Sequence, residues 1–208
     1  MLFRSLAPLF DNLKRAKKLL DDNQPLFKHA EQIDISLLED LHLLTTKPVI
    51  YLFNMDENDL SDDSKKQTLR ELVAPAQALF VCAKLEAELQ TLDETDRQEL
   101  LASYGQTESG LLQLIHAAYD TLGLQSYLTA GEQEVRAWTI KKGATAPEAA
   151  GAIHTDFEKG FIAAQIIDYT DLVALGSEAA ARAAGKIRTE GKTYIMQPND
   201  VVEFRFNN

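Results

Sequence analysis

Two short apolar runs constrain this chain more than any other feature. Val49-Ile50-Tyr51-Leu52-Phe53 and Ala78-Leu79-Phe80-Val81 are rich in β-branched and aromatic residues, and each stops abruptly against a polar loop. Continuous apolar runs of this length suit strands buried on both faces, as in a parallel sheet. A helix is expected between them over residues 64–73. The acidic, leucine-containing segments 85–94 and 94–103 also read as helices. Residues 110–122 read as an amphipathic helix with Leu111, Leu114, Ile115, Ala118 and Leu122 on one side and Gly123 as its stop.

Upstream, Leu6, Leu9, Phe10, Leu13, Ala16, Lys17 and Leu20 recur at spacings of three and four, which predicts an amphipathic helix over 2–22. Residues 21–25 stop it, because the residue before Pro25 is disfavoured in a helix. A second helix is expected over 36–44, with Ser36 as N-cap and Glu39 completing a capping box. The first ten residues are not expected to act as a secretory signal, since Arg4 and Pro8 break their apolar stretch.

From Leu124 the texture changes. Residues 135–140 alternate apolar and polar, the mark of a half-buried strand, and 141–143 form a turn. A helix opening near Pro147 is expected over 147–157, then a strand over 161–167 and a short helix over 177–184 capped by Ser177. Strands at 193–196 and 201–206 would be joined by a turn at Gln197-Pro198-Asn199-Asp200. This second part should be a sheet packed on the 147–157 helix, with Trp138 in its core. The domain boundary falls at Gly123.

Charge divides unevenly along the chain. Residues 1–122 carry 12 Lys and Arg against 21 Asp and Glu, and the remainder carries 9 against 11. The acidic first part should repel nucleic acid, while the second could hold a local basic face. Lys141, Lys142, Arg182, Lys186, Arg188 and Lys192 are the candidates for RNA or ribosome contact; scattered solvated charge is the plain alternative. Cys82 is the one cysteine, so no internal disulfide exists and cytosol is the default compartment. It reads as a small buried residue at a strand end, with a redox role as the alternative. The four histidines share no metal-like spacing, so no metal is expected. No apolar run is long enough to span a bilayer.

The loops that follow the two strands carry the candidate chemistry. The first is Asn54-Met55-Asp56-Glu57. In P-loop GTPases a buried strand ends in N-K-x-D, whose aspartate accepts two hydrogen bonds from guanine. Here Met55 stands at the lysine position and Glu57 at the aspartate position. Guanine selection should fail, while adenine, with an acceptor at N1, need not be rejected. A solvated acidic loop is the plain alternative. The second loop, Cys82-Ala83-Lys84, is similar to the S-A-K loop of the same superfamily, whose alanine N–H contacts the base. Two such loops in order, each ending a predicted parallel strand, fall where open α/β sheets bind ligands. The chain contains no G-x-x-x-x-G-K-[ST], so nothing in it cradles phosphates or holds Mg²⁺.

Four stretches decide the family resemblance. They are Tyr127-Leu128-Thr129-Ala130-Gly131-Glu132, Glu134-Val135-Arg136-Ala137-Trp138-Thr139, the thirteen residues from Ala149 to Phe161 that include Ile153-His154-Thr155-Asp156-Phe157, and residues 200–206. They closely resemble the TGS end of the YchF family of Obg-related P-loop ATPases and GTPases. The likeness runs from about residue 47 to 208, and residues 1–46 match poorly. It implies an α/β remnant of a P-loop nucleotide-binding domain over 47–122, preceded by a helical segment over 1–46 from the inserted helical domain. An α+β, ubiquitin-like β-grasp TGS domain would follow over 123–208.

The resemblance also implies ATP in preference to GTP, with Mg²⁺ only where the phosphate-binding half is present, and the ribosome or ribosomal RNA as partner. Base contacts would come from Asn54, Met55, Glu57, Cys82, Ala83 and Lys84. Hydrolysis by this chain alone is not expected. Self-association through the partial nucleotide domain is expected, or coverage of its open face by Leu6, Leu9, Phe10 and Leu13. A stand-alone TGS module with vestigial base loops is the rival reading.

Overall fold

A computed structural model describes residues 2–131 and 134–207, with only the backbone described for residues 2–6. The expected role of the Leu6 side chain and the Glu132 position of the first TGS-like stretch lie outside the described residues. The chain divides into two compact units, Met1–Thr121 and Leu122–Asn208.

The first unit opens with helix α1, Leu2–Asp21. Ala16 is buried and Leu13 and Leu19 half-buried against Leu26, Ile33 and Leu38 from the segment that follows. Asn12 staples this cluster: its side chain exchanges two 2.8 Å hydrogen bonds with the backbone of Asp34. The helix expected over 36–44 is instead a 3-10 segment, Ile35–Leu41, capped by Asp34 rather than Ser36. Asp34 accepts from both the N–H and the hydroxyl of Ser36, so the cap forms two residues early. Phe10 is exposed and Leu9 half-buried, so part of the α1 stripe faces solvent.

Strands β1, Ile50–Asn54, and β2, Gln77–Val81, pair in parallel, with Asn54 opposite Val81. Helix α2, Asp63–Val73, connects them, and α3, Ala83–Leu89, α4, Glu94–Ser103, and α5, Gly110–Thr121, follow. Their core gathers Met55, Leu60, Phe80, Cys82, Leu85, Leu89 and Leu101, and Phe53 stacks on Phe80 at 5.6 Å. The sequence implied a β1 buried on both faces. Tyr51 and Leu52 are instead 37% and 48% exposed. Among the described residues β2 is the one strand that pairs with β1, so its apolar run exceeds what its neighbours cover.

The second unit is a five-stranded mixed sheet. Its strands are β3, Leu124–Ala130; β4, Val135–Lys141; β5, Phe161–Asp168; β6, Arg188–Glu190; and β7, Asp200–Phe206, in the order β4-β3-β7-β5-β6. The first and last strands, β3 and β7, lie side by side and parallel, and the other pairings are antiparallel. Helix α6, Ala146–Ile153, packs on one face, and Tyr127, Ile140, Ala149, Ala150, Ala164, Ile166 and Val202 form the core. Tyr127 is wholly buried and donates its hydroxyl to Ala149 O at 2.8 Å. Burial pushes its phenol well above the ordinary tyrosine range. Trp138 packs at the core's margin, under the Arg136 guanidinium, 4.2 Å from the ring centre.

Two expectations are corrected here. The helix over 147–157 breaks at His154, whose φ of -159° is extended, and α7, Thr155–Lys159, restarts with His154 Nδ1 as its cap. Residues 193–196 do not form a strand: they make one bridge, Thr145 to Ile195, while Met196 drops into the core. Asp200, 1% exposed, holds this segment by accepting from Tyr194 Oη and from Gln197 N. The strand lies earlier, at β6. Helices α8, Tyr169–Leu175, and α9, Glu178–Ala183, complete the unit, α9 with Ser177 as its cap.

Gly160 has an ordinary negative φ, yet its Cα position touches the end of β7: an added Cβ would lie 2.1 Å from Asn207 O. Backbone cannot yield as a side chain can, so Gly160→Ala should destabilise the second unit by about 1–3 kcal/mol. Urea unfolding of the variant checks this, and an unchanged midpoint would show that the α7–β5 corner moves freely.

Candidate functional site

The two polar loops leave the same end of the parallel pair, because β1 and β2 run in register. The backbone N–H of Met55 donates to Val81 O at 2.7 Å, extending the ladder one step past Asn54. Alternation then sets each side chain's direction. Asn54 points to solvent, Met55 into the core, Asp56 to solvent. The following turn, Glu57–Ser61, is pinned by the buried Leu60 and leaves Glu57 half-buried at the loop's rim.

Asn54 Oδ1 accepts from the backbone N–H of Ala83 at 2.9 Å, joining the first loop to the second across 29 residues. Lys84 Nζ reaches back to Glu57 Oε1 at 2.8 Å. On the other side of that carboxylate, the Tyr104 hydroxyl, at the end of α4, stands 3.5 Å from Oε2, a long contact. The Lys84 hydrogen bond holds the Glu57 carboxyl below its ordinary range, and the same bond raises Lys84. The Glu57 charge, with some burial, raises the Tyr104 phenol.

The six base-loop residues therefore separate. Asn54, Glu57, Ala83 and Lys84 share one exposed or half-exposed shelf. Met55, 7% exposed, and Cys82 are core side chains packed with Leu60, Phe80 and Leu85. Of these two residues the side chains lie in the core, and the backbone is what they offer to the shelf. The N–H of Ala83 is already spent on Asn54. Tyr104 and Glu86 escaped the sequence reading. Glu86 accepts from the N–H of Gly110 at 2.6 Å and so ties α3 to the start of α5. Gly110 is required there, since an added Cβ would lie 2.4 Å from Val81 Cγ1. Neither contact has a local sequence signal, because each partner lies 24 or more residues away.

The six basic residues of the second unit do not make one face. Lys141 ends β4 and Arg188 begins β6, the two opposite edges of the sheet. Four strand spacings separate them, about 19 Å. Arg182 pairs with Glu178 at 2.6 Å, Lys186 with Asp171 at 3.2 Å, and Arg188 with Asp200 at 3.4 Å. Lys192 is exposed in the loop after β6. Among the described residues no group of three or more His, Cys, Asp and Glu could hold a metal ion, and no helix is long and apolar enough to cross a membrane.

Comparison with known proteins gives three findings. The sequence model of a family described as YchF-GTPase_C, protein of unknown function (DUF933), matches residues 124–207. Among curated relatives, the "Ribosome-binding ATPase YchF" of Bacillus subtilis is 46% identical over 95% of this chain and 56% of its own length, and "Obg-like ATPase 1" of Caenorhabditis elegans is 42% identical over 95% and 52%. The solved structure of the YchF GTPase of Schizosaccharomyces pombe aligns with a TM-score of 0.78 at 36% identity, over 94% of this chain and 53% of that one. The chain thus spans about half the length of the curated relatives it matches.

Two outcomes follow from the loop geometry. Met55→Lys, which would restore the lysine of N-K-x-D, places an ammonium in the apolar cluster and should cost about 1–3 kcal/mol in urea unfolding. A negligible cost would mean that residue 55 can swing out to the shelf. The Glu57 carboxyl, followed by carbon NMR, should titrate below its ordinary 4.5 and move upward in Lys84→Met. A folded pKa below the unfolded one contributes stability that is complete above the unfolded value and is lost as pH falls through the folded one. The loops should therefore loosen only below about pH 4.5. Identical Glu57 titration in the variant would contradict the pairing.

Proposed function

Because the chain belongs to the YchF family, we propose that it carries the base-recognition loops and the TGS domain of a ribosome-binding ATPase. The observation that carries this reading is the 2.9 Å bond from Ala83 N to Asn54 Oδ1. It joins two loops at the carboxyl ends of neighbouring parallel strands, where α/β sheets receive ligands.

On this reading residues 1–46 belong to an inserted helical domain, 47–122 to a P-loop nucleotide domain, and 123–208 to a β-grasp TGS domain. The parallel pairing of first and last strands at the sheet's centre, with α6 across one face, supports the β-grasp assignment. Asn54, Glu57, Ala83 and Lys84 form the seat for the base, and ATP is preferred to GTP because Glu57 stands where a guanine-binding aspartate would. Phosphate and Mg²⁺ contacts need a G-x-x-x-x-G-K-[ST] loop, which these 208 residues do not contain. The second unit docks on the ribosome, and a ribosome-bound protein works in the cytoplasm. Lys141, Lys142, Arg182, Lys186, Arg188 and Lys192 remain the contact candidates, with Arg182, Lys186 and Arg188 each also facing an acid. Exposed Tyr51 and Leu52 on a two-stranded sheet favour self-association of the isolated chain.

Equilibrium dialysis of the purified 208-residue chain against ATP and GTP tests the reading. ATP should be retained more than GTP, with no steady turnover of either, because the groups that stabilise phosphoryl transfer are not among these residues. Retention of GTP over ATP would overturn the base preference, and robust turnover would overturn the assignment of hydrolysis to residues outside these 208.

A further inference from the structure

The Glu57 carboxylate faces a donor at each oxygen before any base arrives, one at hydrogen-bond length and one at long range. Lys84 Nζ holds Oε1 at 2.8 Å, and the Tyr104 hydroxyl stands 3.5 Å from Oε2. The two donors come from different elements: Lys84 lies in α3 and Tyr104 caps the end of α4. Tyr104 is fixed by packing against the Met55–Leu101 cluster, and Lys84 by its place one residue after the Asn54-bonded Ala83.

The chemistry of the two purines responds differently to this arrangement. Guanine presents N1–H and an exocyclic N–H side by side, and a carboxylate grips it by accepting one on each oxygen. Adenine presents one exocyclic amine beside an N1 that is itself an acceptor. An ammonium bonded to a carboxylate is a charge-assisted donor, roughly twice as strong as a neutral N–H. Each carboxylate oxygen keeps a second lone pair, but guanine N1–H, itself a donor, would have to crowd against that cation to share Glu57. Adenine needs a single lone pair from Glu57, and its N1 can accept from the ammonium alongside.

We propose that Lys84, assisted by Tyr104, determines specificity through Glu57: donors that already face the carboxylate oppose the two donors of guanine and leave the shelf to adenine. The inference rests on the reading of the two loops as a base seat. It moves the origin of adenine preference from the extra methylene of Glu57 alone to the pair of donors that hold it.

The test uses the 208-residue chain with Lys84→Met, Lys84→Arg and Tyr104→Phe, singly and with Lys84→Met and Tyr104→Phe combined. ATP and GTP titrations are followed by the amide signals of residues 54–57 and 83–84. Lys84 is exposed and phenylalanine keeps the packed ring of Tyr104, so each variant retains the fold, verified by the unshifted signals of β2. Lys84→Met should shift the ATP-to-GTP affinity ratio toward GTP by about tenfold, the worth of one hydrogen bond to a charged group. Tyr104→Phe should shift it less, the double variant most, and Lys84→Arg, which keeps the cation, should hold the wild-type ratio. A purely structural role would weaken both nucleotides together and leave the ratio alone, which would overturn the proposal while ATP still shifted the loop signals. If neither nucleotide moves those signals in the wild-type chain, the base seat itself falls and the proposal falls with it.

Discussion

The Asn54 side chain closes the one place where the parallel β1–β2 ladder would otherwise fray. A parallel pair has no hairpin to hold its ends, and its two exits diverge unless something spans them. Asn54 Oδ1 spans them by accepting from Ala83 N at 2.9 Å, one step beyond the register pair Asn54–Val81. This bond fixes the starting point of α3, and α3 in turn carries Lys84 back to Glu57 and Glu86 across to the first turn of α5. Everything on the shelf is thus referred to one amide. The cluster beneath supplies the opposing constraint: Met55 and Cys82, on either side of the bond, are both anchored in the core, so neither loop can rotate without opening apolar surface.

Much of this was legible in the sequence. The two apolar runs give β1 and β2 within a residue or two, and the abrupt change to Asn54 and Cys82 marks their ends. Side-chain direction was not legible. Asn54-Met55-Asp56-Glu57 reads as a continuous polar loop, yet the strand's alternation persists through Met55 and turns it inward. The sequence puts Asn54, Met55 and Glu57 side by side as base contacts, yet the pleat divides them. Tyr104 was invisible for a different reason: it reaches Glu57 from 47 residues away, and no periodicity encodes such a contact.

The second unit repeats the lesson with charge. Its basic residues suggested one face, but sheet order decides which side chains meet, and the order β4-β3-β7-β5-β6 sends Lys141 and Arg188 to opposite edges. The segment 193–196 was misread because its apolar residues look like a strand. Its backbone is organised instead by a buried carboxylate, Asp200, whose bonds to Tyr194 and Gln197 curl the chain where a ladder would have kept it straight. The 147–157 helix was misread by one residue's dihedral at His154. In both of these segments a side-chain hydrogen bond accompanies the departure from the pattern of apolar positions.

The central claim is that the Asn54 and Ala83 loops together seat an adenine base. It is tested most directly by transferred nuclear Overhauser measurements on the 208-residue chain with ATP. The account predicts cross-relaxation from the adenine H2 and H8 protons to the Ala83 methyl and the Lys84 methylenes, both lost when Asn54→Ala unties the loops. Adenine contacts confined to residues of the second unit, or contacts at Ala83 that survive Asn54→Ala unchanged, would contradict it.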